Sequence, residues 1–352
     1  MPPIISALAG IAVAAGAGLG GYAWNNLTSA HRAVTAVRRT GYVDRRAVLA
    51  GGTALAYSEG PPGGPAVLLI HGQGSARQSY DRVLPELARR FHVYAVDVAG
   101  HGESDRSPGR YTVTEASADI IDFMRTVIGE PVIVSGHSSG GLIAALVAAE
   151  APDLVAGVLL EDPPFFSAEP ERFPTQFNAV DLARPAHRFL AQDEETDFAS
   201  WYIEHNAWIG YFGRGARGIV RQARRRRRAH PDRALVLWFL PPSVNESYAH
   251  MHTFDPAFAD AFHRLAWQAD FDHADVLRRI TAPATLVHAN WRITPDGILE
   301  GAMTDDDAAR AQSLLPDGVL ERVRTGHGFH FEDPRAFVRL LTELAARSDG
   351  IA

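Results

Sequence analysis

The stretch Val132-Ile133-Val134-Ser135-Gly136-His137-Ser138-Ser139-Gly140-Gly141-Leu142-Ile143-Ala144-Ala145-Leu146 decides the fold. Val132 to Ser135 is an apolar run too short for a helix and reads as a strand, whereas Ser139 to Ala149 carries a helical pattern. The pattern Gly-x-Ser-x-Gly therefore sits at a strand-turn-helix junction. The two glycines allow a sharp turn that holds Ser138 out on a strained elbow, and the helix behind it aims amide dipoles at a developing anion. Ser138 is the candidate nucleophile. A plain Gly/Ser connector is the bland alternative, and the strand-turn-helix context speaks against it.

Working outward, strands and helices alternate. Ala47 to Ala50 and Thr53 to Ser58 read as short strands joined by Gly51-Gly52, followed by the strand Ala66 to Ile70, a helical pattern over Tyr80 to Arg90 and the strand His92 to Val96. A helix over Thr114 to Val127 and, beyond the elbow, a strand over Leu154 to Leu160 continue the series. Strands apolar on both faces and separated by helices predict a parallel sheet covered on both sides, an α/β fold. From Pro163 to Asp272 the alternation stops, and this stretch holds more than half of the chain's Phe, Trp and Tyr residues, which reads as a helical insertion. The rhythm resumes with Ala284 to Ala289, Asp305 to Leu315, Val319 to Val323 and Pro334 to Ala346.

Composition removes several function classes. The chain has 352 residues, 46% hydrophobic and 21% charged, which suits a globular protein with a large core. Its formal net charge of −7 gives no general grip on phosphates, so nucleic acid is not an expected partner. Cysteine is absent, which excludes disulfides, thiolate nucleophiles and thiolate metal sites. His187, His205, His230, His250, His252 and His263 show no metal-ligand spacing, and neither a metal nor a cofactor is expected.

Residues 1–30 form an apolar segment of their own. No charge occurs from Ile4 to Trp24, and at 1.5 Å per residue that span reaches ~30 Å, the thickness of a hydrocarbon layer. Arg32, Arg38, Arg39, Arg45 and Arg46 follow it, so the positive-inside rule places the bulk of the chain on the cytoplasmic side of a membrane anchor. Secretion after signal cleavage and a soluble Ala/Gly-rich helix are the alternatives, the first disfavoured because Met1, Pro2 and Pro3 supply no basic side chain. The basic run Arg224 to Arg228 reads as a solvated helix face, or else as attraction to anionic lipid headgroups.

Two further loops belong to the elbow. Ile70-His71-Gly72-Gln73-Gly74 ends a strand, where the Gln73 amide can join that of Ser139 as an oxyanion hole, with His71 structural. Gly326-His327-Gly328-Phe329-His330-Phe331-Glu332-Asp333-Pro334 follows the last strand, where a histidine can reach back to Ser138. His327 is the candidate general base and His330 its competitor, with a surface role for whichever is unused.

With Asp97-Val98-Ala99-Gly100-His101-Gly102-Glu103-Ser104 these motifs resemble the α/β-hydrolase superfamily from about Arg46 to the end. The resemblance implies an eight-stranded, mostly parallel sheet with helices on both faces, a core of residues 31–162 and 273–352, and a helical cap over 163–272. It also implies a serine, acid, histidine triad, with a shape-giving role for Asp97 to Ser104. Serine at 138 argues against the dehalogenase and epoxide hydrolase subgroups, which would carry Asp there. The acid departs from the family pattern, since Ala284 to Ala289 runs into Asn290-Trp291-Arg292. Asp162, at the tip of the preceding strand in Leu159-Leu160-Glu161-Asp162-Pro163, is the preferred acid, as in some members of the family. Asp296 in the turn-like Thr294-Pro295-Asp296-Gly297 and Glu161 stay open, and Asn290 is a remote alternative for orienting the ring.

The expected activity is that of a serine carboxylic ester hydrolase with a small-molecule or lipid acyl substrate. An aromatic insertion would favour an apolar substrate, or else its rings form only the insertion's own core. Cofactor-free haloperoxidase, carbon-carbon bond hydrolase or acyltransferase chemistry on the same triad, and a receptor-like binder with slow turnover, are the alternatives.

Overall fold

The computed structural model describes residues 3–348, and of residues 3–17 and 19 it describes the backbone only. Helix α1 (Pro3–Arg39) extends past the expected residue 30. Most of the apolar span 4–24 therefore falls on side chains outside the described residues. Among the described residues no helix is long and apolar enough to cross a membrane.

Ten strands follow in chain order: β1 (Val43–Val48), β2 (Ala54–Glu59), β3 (Ala66–Ile70), β4 (His92–Val96), β5 (Val132–His137), β6 (Val155–Glu161), β7 (Ala284–His288), β8 (Arg292–Ile293), β9 (Leu299–Glu300) and β10 (Gly318–Arg322). Eight of them form one sheet in the order β1-β2-β4-β3-β5-β6-β7-β10. The β1–β2 and β2–β4 pairs are antiparallel and every other pair is parallel, so the sheet is mostly parallel as expected. The central strand β3 is buried along its whole length, which its unbroken apolar sequence requires.

Helices α2 (Val113–Phe123) and α3 (Ser139–Glu150) cover one face of the sheet. Every residue of α3 from Ser139 to Ala148 is buried, and each large apolar side chain among them, such as Leu142, Ile143, Leu146 and Val147, contributes about 1.5–3 kcal/mol of transfer free energy. The closing helix (Pro334–Ser348) lays Phe337, Leu340, Leu341 and Leu344 on the other face. Where a helix was expected over Tyr80 to Arg90, a 3₁₀ turn (Arg77–Arg82) gives way to one short helix (Leu84–Leu87). Pro85 supplies no amide there, which limits helical bonding in this stretch.

Between β6 and β7 the chain is helical and irregular, with no strand of the large sheet. Its rings pack chiefly on one another: Phe258 and Phe262 lie 4.6 and 4.9 Å from Trp267 between ring centres, and Phe165, Phe166 and Trp267 are fully buried. Most of these aromatics thus pack on one another, in a core continuous with that on one face of the sheet.

Candidate active site

The parallel strands end in one row, and the site lies just beyond it. Gly136 pairs with Leu160, His137 with Glu161, and Glu161 with Val287, so residues 138, 162 and 288 come side by side. The backbone extends this alignment: the Ser138 amide donates to the Glu161 carbonyl at 2.9 Å, and the Asp162 amide to Val287 at 3.0 Å.

Ser138 sits at φ 54° and ψ −120°, at the N-terminus of α3. Such a backbone is rare for a residue with a side chain and persists only when its surroundings impose it. Two glycines impose it here. A Cβ on Gly136 would lie 2.1 Å from the Gly140 carbonyl oxygen, and one on Gly140 would lie 2.5 Å from the His71 oxygen. The elbow is therefore welded to the loop after β3, and a Cβ on Gly72 would come within 3.0 Å of the Ser138 Cβ.

That loop carries Gln73, and two buried histidines shape it. His71 accepts from the Val98 amide at 3.1 Å and donates to the Gly72 oxygen at 2.8 Å, while His101 accepts from the Gly74 amide at 3.1 Å. Burial pushes His71 down to about 4 and His101 well below the usual imidazole range, so both stay neutral and can accept. Among the described residues neither the Gln73 nor the Ser139 amide donates inside the protein. The insertion leans on this loop: Asn178 donates to Gln73 Oε1 at 2.6 Å, and Met251 and Leu182 crowd Gly74.

The three sequence candidates for the acid are separated by contact. His327 Nδ1 donates to Asp162 Oδ2 at 2.7 Å, and the Ala289 amide donates to Asp162 Oδ1 at 3.1 Å. Glu161, one residue earlier, takes both the backbone amide (2.8 Å) and Nδ1 (2.6 Å) of His330. Asp296 is exposed in the turn of the β8–β9 hairpin, where the Gly297 amide donates to Thr294 at 2.9 Å. Asn290 is exposed, its amide bonded to the Thr325 oxygen at 3.0 Å. His330 is buried rather than on the surface, and it stacks on Tyr80 at 4.3 Å.

Burial alone would raise the Asp162 carboxyl, but the His288 and His327 imidazoles and the Ala289 amide outweigh it and hold the acid down at about 2. For His327 burial acts downward, and the Asp162 hydrogen bond and charge reverse the balance, so its pKa lies above the usual imidazole value. Asp162 too has a left-handed backbone, φ 44°.

Two histidines at the site went unnoticed in the sequence. His137, inside the Gly-x-Ser-x-Gly motif, donates from Nε2 to the His327 carbonyl at 2.8 Å, and the two rings lie 4.6 Å apart. It thereby ties the loop after β10 to the elbow. His288, at the end of β7, bonds Asp305 at 2.9 Å and holds Nδ1 3.8 Å from Asp162, close enough for charge but too far for a hydrogen bond. Its signal was an imidazole at the end of a largely apolar strand. Among the described residues, Ser138 forms no side-chain hydrogen bond to His327, so the acid–base half of the arrangement is closed and the base–hydroxyl half is open.

The α/β-hydrolase fold family matches the sequence over residues 65–334. The chain belongs to that family. Among the described residues no cluster of His, Cys, Asp or Glu is arranged to hold a metal ion. An uncharacterised protein of Mycobacterium tuberculosis is 39% identical over 97 residues, 28% of each chain. A 2-(acetamidomethylene)succinate hydrolase of Mesorhizobium japonicum is 35% identical over 99 residues, 28% of this chain and 36% of that one. The match thus spans well under half the length of these relatives. Among solved structures, a membrane phospholipase A described as a bacterial virulence factor superposes with a TM-score of 0.61 at 18% identity, covering 99% of both chains. That likeness is one of fold.

Proposed function

We propose that this α/β-hydrolase is a serine carboxylic ester hydrolase working through an acyl-enzyme, with Ser138, His327 and Asp162 as its triad. The observation that carries the reading is the 2.7 Å bond from His327 Nδ1 to Asp162, because it fixes the tautomer in which Nε2 is left as a base. As Ser138 Oγ attacks the ester carbonyl, Nε2 takes the hydroxyl proton and the carbonyl oxygen becomes an oxyanion. The Gln73 and Ser139 amides, free of internal partners, receive that charge. Collapse expels the alcohol, which takes the proton back from His327. Water then repeats the cycle on the acyl-enzyme and releases the carboxylic acid. Asp162 stays ionised throughout, in keeping with its lowered pKa. No cofactor enters these steps.

The substrate is proposed to be apolar or lipidic. Met251 and Leu182 crowd the oxyanion loop, and the uncharged span 4–24 would hold the catalytic body at the cytoplasmic side of a membrane, near acyl lipids. The fold likeness to a membrane phospholipase A is consistent with this. Labelling with a fluorophosphonate probe tests the nucleophile: wild type is expected to label and Ser138→Ala to lose labelling entirely. An ester panel of increasing acyl length then reads the substrate class, and a label that persists on Ser138→Ala would reject the mechanism.

A further inference from the structure

The cap carries a strongly basic surface that the proposed chemistry does not use. No acidic residue occurs between Glu204 and Asp232, and that interval contains Arg214, Arg217, Arg221 and Arg224 to Arg228, in a chain of net charge −7. Most of these lie on one helix (Ala216–Ala229) that turns Ile219, Ala223 and Arg227 inward. Two of the arginines are committed internally. Arg227 is buried and bonds Asp197 at 2.9 and 3.0 Å together with the carbonyls of Pro231 and Arg233, and Arg224 pairs with Glu204 at 2.6 Å.

The others point away from the core. Arg217, Arg221, Arg225 and Arg228 follow one another at intervals of four, four and three, which makes a single stripe, and all four are exposed. Among the described residues none of them has an ion-pair partner, whereas their neighbours Arg224 and Arg227 do. Like charges at these spacings destabilise a helix. The fold offers this stripe no compensating contact, which leaves an external anion as the source of any.

The chain that leaves this helix leads to a collar of exposed aromatic rings. The arginine helix runs into a loop whose start Arg227 clamps, and that loop presents Trp238, 41% exposed. Helix α1 docks there, with the Asn26 amide donating to the Trp238 carbonyl at 2.9 Å and the Tyr22 hydroxyl to that of Phe239 at 3.3 Å. Trp24 is 69% exposed at this junction, and the uncharged span of α1 begins directly before it. Tryptophan and tyrosine concentrate at the headgroup level of bilayers, and basic stripes face anionic lipid.

We propose that the arginine stripe and the Trp24–Trp238 collar form one docking surface for a bilayer rich in anionic headgroups. Charge complementarity and continuity with the uncharged span select a lipid surface as occupant, and the surface would set the cap at a fixed orientation to the membrane. The inference adds to the tether proposed above and stands without the ester-hydrolase reading.

The test is a competition in which the full-length chain distributes between differently labelled vesicles, one of neutral phosphatidylcholine and one containing phosphatidylglycerol. Wild type is expected to favour the anionic vesicles at low salt and to lose that preference at high salt. Replacing Arg217, Arg221, Arg225 and Arg228 by Gln is expected to reduce the anionic-to-neutral ratio about 10²- to 10³-fold, and replacing them by Lys to preserve it. Hydrolysis of a soluble short-chain ester in the same preparations reports separately on the triad and on folding. An unchanged ratio in the Gln variant would overturn the proposal. Transfer RNA displacing wild type from anionic vesicles at equal phosphate concentration would overturn the choice of lipid as the occupant.

Discussion

With its backbone at φ 44° and both carboxylate oxygens engaged, Asp162 has little freedom, and two of its three lowering partners are histidines on two different elements. Replacing it by Asn removes the charge that raises His327. The proposed mechanism requires a neutral imidazole, so the acid limb of the wild-type rate profile should fall above pH 6.5 and move to lower pH in Asp162→Asn, with kcat reduced about 10³- to 10⁴-fold. Stability carries its own signature. The Asp162 contribution is present above the unfolded value near 3.8 and is lost as pH falls towards 2, while the His327 contribution is present below 6.5 and is lost as pH rises through its raised folded value. Urea melts should therefore show the largest gap between wild type and variant from pH ~4 to ~6.5. A gap independent of pH would refute the pairing. At this scale Ser138 and His327 were legible because local motifs announce them, whereas the choice between Glu161 and Asp162 was not. Adjacent residues at a strand end point in different directions, and only the left-handed turn at Asp162 decides which carboxylate meets His327 and which meets His330.

At the scale of elements, the strand tips and the loops that leave them must be held together, and the loop after β4 does this for the oxyanion side. Asp97, fully buried, receives the Arg77 amide at 2.7 Å, the Arg77 guanidinium, and the Glu103 amide at 3.0 Å. Ser104 bridges the Asp97 carbonyl at 2.6 Å and the Ala56 amide at 2.8 Å, joining this loop to β2. Gly102 at φ 55° leaves the room, since a Cβ there would strike the carboxylate at 2.1 Å. The segment Asp97 to Ser104 is thus the structural brace its sequence suggested. Arg77 is also buried, and removing one partner of a buried pair costs about 3–5 kcal/mol because the other charge is left without compensation. Asp97→Ala is expected to lower the free energy of unfolding by about that amount, less whatever the exposed Glu103 and Asp44 recover. Its fluorophosphonate labelling per folded molecule should stay near wild type. A urea midpoint within error of wild type would show that the brace bears no load.

Across the whole molecule, the C-terminal half of α1 is held by the body, while its uncharged N-terminal part is the proposed tether. Asn26 and Val37 are buried, and Tyr42 donates to the Leu84 carbonyl at 2.9 Å, so the C-terminal half of the helix is held by the cap on one side and by the sheet's outer layer on the other. Shortening the chain to start at Gly18 keeps all of these contacts. Such a variant should melt within about 2 °C of the full-length protein and hydrolyse a soluble short-chain ester at the same rate. Its membrane behaviour should change in kind. Full-length protein bound through a buried apolar span is indifferent to salt, while the shortened form retains only the arginine stripe and the aromatic collar. The Debye length shrinks from about 10 Å at 0.1 M to about 3 Å at 1 M, so a charge-held protein is released where an inserted one is not. Membranes washed in 1 M salt should therefore keep the full-length chain in the pellet and give up the shortened one. If both wash off, residues 4–24 do not insert; if both stay, the collar alone suffices to hold the protein at the bilayer.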